Sequence, residues 1–186
     1  SASRGLIAEL DLTTGFATAW DPSADVTGST RIEAIGYDGT RVYFGGQYTW
    51  LKQATRNRLS AFDLATGDVA AWNPNSNGQV FALAGSGSNV YAGGAFTTVG
   101  GQTRNRIAAL DATTGLATVW NPNADGDVYG LLIDGSTVYA GGAFLNMGGL
   151  ERGRLAAIDI ATALPTAWDP SADYHVRCFA KQGTNV

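Results

Sequence analysis

The heptapeptide Val-Tyr-Ala-Gly-Gly-Ala-Phe stands at residues 90–96 and again, unchanged, at residues 138–144, an interval of 48 residues. The interval belongs to the whole chain. Residues 56–103 align with residues 104–151 without a gap, and about half of the positions are identical. Residues 152–186 repeat the pattern as far as Val186 and stop. Residues 4–55 are a first copy, with extra residues near Val26–Ser29. The landmarks recur in register: Asp11, Asp63, Asp111 and Asp159, then Trp20, Trp72, Trp120 and Trp168, then the pairs Gly45–Gly46, Gly93–Gly94 and Gly141–Gly142. A repeat of this length is one supersecondary unit stacked on its neighbours.

Each unit holds four short strand signals. "RNRIAALDA" and "ATVWNP" flank "TTG", and "DVYGLLI" and "TVYAGGAF" flank "DGS". Both linkers are hairpin-turn chemistry, and helical periodicity is absent. Four antiparallel strands in a repeat of about 40–50 residues predict an all-β protein, a β-propeller of about 48-residue four-stranded blades with about 3.75 blades present. The chain is then a single propeller segment, with repeat units 4–55, 56–103, 104–151 and 152–186, the last incomplete. A solenoid fits less well, because its rungs are shorter and built on parallel strands. In such a fold the strand carrying the heptapeptide is buried on both faces, so its residues are continuously apolar. Gly93 and Gly94, like Gly141 and Gly142, remove side chains where a neighbouring blade or strand comes close, and Phe96 and Phe144 refill the space beside them.

Composition excludes several functions. The net charge is −4, and the chain has two lysines, Lys52 and Lys181, so nothing basic enough to hold a phosphate backbone is present and no nucleic-acid partner is expected. No apolar run approaches the length of a membrane-spanning helix. The single cysteine, Cys178, rules out an internal disulfide and a multi-cysteine metal site. No secretion signal is visible in "SASRGLIAEL".

The Gly-Gly pair after an apolar strand, the Asp-x-x-Thr-Gly turn and the recurrent Trp together resemble kelch-type propeller blades. Closer still is the resemblance to propeller repeats of large secreted or surface-attached bacterial proteins, which carry strings such as "GGAFTTVGG", "RNRIAALDATTG" and "WNPN"; related repeats occur in fungal cortical marker proteins. The resemblance covers essentially the whole chain. It implies the propeller fold and a secreted or cell-surface location, and it implies no particular activity.

The candidate residues divide into structural and binding sets. A buried Trp removes roughly 150–250 Å² from water, about 4–6 kcal/mol gross, so Trp20, Trp72, Trp120 and Trp168 are expected to be core anchors; sugar-stacking platforms are the alternative. The loops after each Trp, including residues 21–25, combine Asn, Asp and Pro as turns do. One of them offers Asn121, Asn123, Asp125 and Asp127 around Gly126, a weak resemblance to a calcium loop, but Leu132 stands where the bidentate carboxylate belongs. Arg56/Arg58, Arg104/Arg106 and Arg152/Arg154, with Arg4 in the first copy, are expected on one face of a strand, bridging to the repeated Asp or to backbone carbonyls.

Catalysis finds little support. His175 is the one histidine, no His cluster offers a metal site, and no glycine loop leads into a helix. No catalytic residue, cofactor or essential metal is expected. Residues that break the repeat are the binding candidates: Trp50 and Lys52, where "TWLKQ" replaces "TTVGG", and Tyr174, His175 and Arg177, where "YHVRC" replaces "GDVYG".

The expected function is a non-enzymatic binding or adhesion scaffold, with a protein or carbohydrate ligand on the loops at one end of the propeller. The alternatives are a lyase or hydrolase with a central-channel site, and a purely structural extracellular repeat. Val186 aligns with Val138 and Val90, the start of an interior strand. The open sheet edges this leaves predict a longer parent chain or a homo-oligomer.

Overall fold

The computed structural model describes residues 9–20, 31–52 and 54–186. Arg4, the loop 21–25 and the extra residues at Val26–Ser29 lie outside the described residues. In chain order the strands are β1 (Arg31–Tyr37), β2 (Arg41–Gln47), β3 (Trp50–Leu51), β4 (Ala54–Thr55) and β5 (Leu59–Asp63). Next come β6 (Val80–Ser86), β7 (Asn89–Gly94), β8 (Thr98–Val99), β9 (Gln102–Thr103) and β10 (Ile107–Asp111). The last are β11 (Val128–Asp134), β12 (Thr137–Gly142), β13 (Asn146–Met147), β14 (Leu150–Glu151) and β15 (Leu155–Asp159). No helix occurs among the described residues, and none is therefore long and apolar enough to cross a membrane.

Among the described residues three three-stranded antiparallel sheets result, ordered β1-β2-β5, β6-β7-β10 and β11-β12-β15, beside the two-stranded hairpins β3-β4, β8-β9 and β13-β14. Each draws its two inner strands from one repeat unit and its third from the next. The inner strands pack in succession, β1 on β6 and β6 on β11, which is the radial arrangement of propeller blades. The expected fourth strand is shorter than the sequence suggests. It reduces to single bridges, Phe62 to Val69, Leu110 to Ala117 and Ile158 to Pro165. Two bonds hold it in the third unit, Asp111 N to Leu116 O and Thr118 N to Ala109 O, both 2.9 Å. The turn glycine and the Trp-Asn-Pro bend leave only a short segment between them. Its free edge is covered by a hairpin that the repeat did not announce: the β8–β9 turn packs there so that Gly100 O accepts from Ala117 N at 3.0 Å, which blunts an exposed edge.

The core lies between the sheets, and strand alternation feeds it from both faces. Val90 and Ala92 of β7 pack toward Tyr43, Trp72 and Val80, whereas Tyr91, on the opposite face, packs with Trp120, Val128 and Val138. All three of Val90, Tyr91 and Ala92 are buried. A middle strand with two apolar neighbours has no polar face to show, which is why the heptapeptide is uniformly apolar.

The glycine pair has two separate reasons. A Cβ on Gly45, Gly93 or Gly141 would stand 2.7 Å from a methyl of Val80, Val128 or Val176, each on the inner segment of the following unit. A Cβ on Gly46, Gly94 or Gly142 would collide with the carbonyl of Arg31, Gln79 or Asp127 in its own sheet. That carbonyl turns inward to accept from Ala95 N or Ala143 N at 2.8 Å in the second and third sheets. The first glycine admits the next blade; the second admits a distortion of its own inner strand.

Candidate functional site

That distortion is a β-bulge, and it recurs. The register of β1 on β2 slips between Ile32 and Ala34, that of β6 on β7 between Val80 and Ala82, and that of β11 on β12 between Val128 and Gly130. The residues passed over are Glu33, Phe81 and Tyr129. A bulge re-aims the side chain it carries and is common beside binding sites. Arg177 occupies the same repeat position in the last unit, 48 residues beyond Tyr129. Its backbone carbonyl would stand 3.0 Å from a Cβ on Gly130, so the segment lies directly against β11.

These four positions line one cavity of about 310 Å³. Phe81 and Tyr129 meet with ring centroids 5.3 Å apart, and the Arg177 guanidinium lies over the Tyr129 ring, 5.2 Å from its centroid. His175 approaches Tyr129 at 5.8 Å and Tyr174 at 5.5 Å. Glu33 is anchored from the side, where Gln79 Nε2 donates to its Oε2 at 2.7 Å. The result is an aromatic pair with a guanidinium over one ring and a carboxylate in the same lining. Such a pair can stack a planar or C–H-rich face while the charged groups bind polar atoms.

Of the residues singled out from sequence, Tyr174, His175 and Arg177 come together here. Trp50 and Lys52 do not join them. They sit on the β3–β4 hairpin, where Trp50 is 46% exposed and Lys52 Nζ donates to Gly67 O at 2.8 Å and pairs with Asp68 at 3.0 Å. Lys52 replaces a turn glycine and carries its positive φ of 43°, so its side chain tethers a turn that the repeat otherwise makes with Gly100–Gly101. Glu33, Phe81 and Tyr129 were missed. The available signal was their shared repeat position with Arg177, a column that reads Glu, Phe, Tyr, Arg beside one that reads Ile, Val, Val, Val.

The remaining landmarks are structural in their contacts. Trp72 and Trp120 are buried and donate their indole N–H to Asp111 O and Asp159 O of the following unit, at 3.0 and 3.2 Å. Each also meets a tyrosine ring edge-on, Tyr43 and Tyr91, at 5.0 Å. Trp20 and Trp168 are half-buried; Trp168 keeps the tyrosine contact, with Tyr139 at 5.2 Å. The Oδ1 atoms of Asp11, Asp63, Asp111 and Asp159 each accept from the two backbone amides that follow in the turn. Bonds from Thr14, Thr114 and Thr162 hold the carboxyls of Asp11, Asp111 and Asp159 below the usual carboxylate range.

The arginines depart from the strand geometry expected of them. The strand begins one residue later, because Arg58, Arg106 and Arg154 have φ of 64–67°. Their guanidinium groups bond backbone carbonyls instead of the repeated Asp: Arg58 reaches Ser76 O at 3.0 Å and Arg154 reaches Ala172 O at 2.9 Å. Arg56, Arg104 and Arg152 bond Ala70 O, Thr118 O and Thr166 O.

In the calcium-like loop the oxygens serve the turn. Asp125 Oδ1 accepts from Leu145 N and Asn146 N at 2.8 and 2.9 Å, and Oδ2 from Asn146 Nδ2 at 2.7 Å. Burial raises the Asp125 carboxyl pKa, but these bonds outweigh it and the net direction is down. Asn123 Oδ1 accepts from Asn105 Nδ2 at 2.7 Å, and Asp127 pairs with Arg106 at 3.6 Å. Asn121 is exposed.

No family model matches the chain, and no curated protein matches its sequence. Solved structures do match. The computationally designed Ika4 protein superposes with a TM-score of 0.57 at 16% identity, covering 86% of this chain and 85% of that one. The designed Ika8 protein gives 0.53 at 16% identity, over 82% of this chain and 40% of the other. The β-propeller domain of Cps50 (Swd1) from Myceliophteria thermophila gives 0.54 at 14% identity, over 85% and 46%. The chain thus spans less than half the length of two of these three. At such identities the likeness concerns the fold alone, and the fold is a β-propeller.

Proposed function

We propose that this chain is a non-enzymatic binding or adhesion scaffold whose ligand docks at the end of the propeller where the bulged inner strands converge. One observation carries the reading. Four repeat-equivalent positions line a single cavity and bear four different chemistries, Glu33, Phe81, Tyr129 and Arg177, while the adjoining core column stays aliphatic. Packing explains a uniform column; it does not require a varied one. The resemblance to repeats of secreted bacterial proteins supports a place outside the cell. Capture of protein and glycan ligands by the intact chain and by Tyr129→Ala tests this reading. Capture that Tyr129→Ala abolishes, with the melting temperature held, is the expected result. Turnover of a captured compound, or capture indifferent to the substitution, would overturn it.

Self-association is part of the same proposal. Ile35 and Tyr37 of β1 are 60% and 58% exposed. The repeat-equivalent of Ile35, Leu83, is half-buried against the neighbouring β1, where a Cβ on Gly36 would stand 3.3 Å from its own Cβ. A second copy can cover β1 by the contact that β6 already makes within the chain. Light scattering across a dilution series checks this: a mass that stays at one chain throughout would sink it.

A further inference from the structure

We propose that the cavity between the bulged strands takes an acidic sugar unit, its carboxylate on Arg177, its C–H face on the aromatic pair and its hydroxyls on Glu33. The inference rests on the reading of this cavity as the ligand site and goes on to name the ligand's chemistry. Arg177 supplies the anion-binding group. Among the described residues its guanidinium forms no hydrogen bond or ion pair and lies over the Tyr129 ring. A guanidinium stacked on a ring still presents its in-plane N–H groups, which match a carboxylate in a two-bond fork. The residue is exposed and lines the cavity, so those groups are accessible to a ligand.

Glu33 narrows the choice. A carboxylate in the same cavity lining as the guanidinium repels a ligand that is only anionic, such as an acidic peptide side chain. It favours one that brings hydrogen-bond donors within a few ångströms of its negative charge. Gln79 Nε2 donates to Glu33 Oε2 at 2.7 Å, which leaves the other oxygen to accept from a ligand. A sugar acid carries hydroxyl donors around the same ring as its carboxylate. Phe81 and Tyr129, half-buried and 5.3 Å apart, form an apolar face against which the ring's C–H groups can lie. The volume of about 310 Å³ lies at the small end of ligand sites and suits one ring. An amino-acid zwitterion also offers an anion and donors, but its ammonium would seek Glu33 as a full ion pair, so it serves as the competing probe.

Calorimetric titration of the full chain decides, using trigalacturonate, a neutral galactose trisaccharide and free phenylalanine as probes. Trigalacturonate is expected to bind at least about tenfold more tightly than the neutral trisaccharide, since a charge-assisted hydrogen bond is worth roughly 1.5–3 kcal/mol. Added salt should narrow that preference. Arg177→Gln should erase it and leave thermal stability unchanged, and Glu33→Gln should weaken both sugars. Equal affinity for the two sugars, binding of phenylalanine in their place, or no binding of any probe would overturn the inference. If a Tyr129-dependent ligand without an acidic group is found, the acidic-sugar assignment alone fails. If no ligand depends on Tyr129, the binding site itself fails with it.

Discussion

Gly93 and Val128 meet across neighbouring blades so closely that a methyl group on Gly93 would lie 2.7 Å from Val128 Cγ1. Val128 is fully buried, and its carbonyl oxygen would be only 3.2 Å from the same methyl, so the contact has no free direction in which to relax. Gly93→Ala should cost about 1–3 kcal/mol, the range for overpacking a core. Urea unfolding measures it. Val128→Ala alone should also be destabilising, because Val128 is fully buried, and the double variant Gly93→Ala/Val128→Ala should lose less than the two single variants together, because the two changes share one contact. A loss in the double variant equal to the sum of the two single losses would place the strain elsewhere.

Trp120 closes the same seam from outside. Its ring stands edge-on to Tyr91 and its N–H reaches Asp159 O in the next unit. Trp120→Ala should cost about 3–5 kcal/mol, read by thermal or denaturant unfolding. A variant that melts like the parent but loses a ligand would make Trp120 a binding platform instead of an anchor.

The Asp38–Tyr43 pair should shape stability at both ends of the pH range. Burial pushes the Asp38 carboxyl up, but hydrogen bonds from Tyr43, Thr40 and Arg41 outweigh it and hold the pKa at about 2. A carboxyl depressed on folding stabilises the fold above its unfolded pKa and loses that effect as pH falls toward the folded one, here from about pH 4 to about 2. Tyr43 runs the other way: burial first, then Asp38, push its pKa up to about 12. Its contribution is complete below about pH 10 and lost as pH rises through about 12. Asp38→Asn should flatten the acid limb and Tyr43→Phe the alkaline limb of unfolding free energy against pH. Unchanged limbs in both variants would show that the pair does not couple folding to protons.

Asp125 makes a prediction about metal. Its two oxygens accept from Leu145 N, Asn146 N and the Asn146 side chain. Melting with and without excess chelator should therefore coincide, while Asp125→Ala should lower the melting temperature. A chelator-induced fall that calcium restores would show that the loop is a cation site.

The sequence by itself determined the repeat, and with it the strands, the propeller and the buried middle strand. Those follow from local chemistry that is written into every unit: turn-forming Asp-x-x-Thr-Gly, an apolar run, a Trp and a Gly-Gly pair. It also pointed to Arg177 and His175, because they interrupt the pattern near the end of the chain. Only the tertiary structure showed that Glu33, Phe81 and Tyr129 share one cavity with Arg177. They stand 48 residues apart, and each is unremarkable within its own strand. They converge because the second glycine of each pair admits a bulge at the same point of every inner strand, and the blades carry those bulges toward one another. The β3–β4, β8–β9 and β13–β14 hairpins and the left-handed arginines were likewise illegible. A hairpin's direction is set by what it packs against, and Arg106 takes its positive φ where its N–H meets Phe96 O and its side chain meets Ala124 O. Local propensity disfavours that conformation in a non-glycine residue, and the long-range bonds outweigh it.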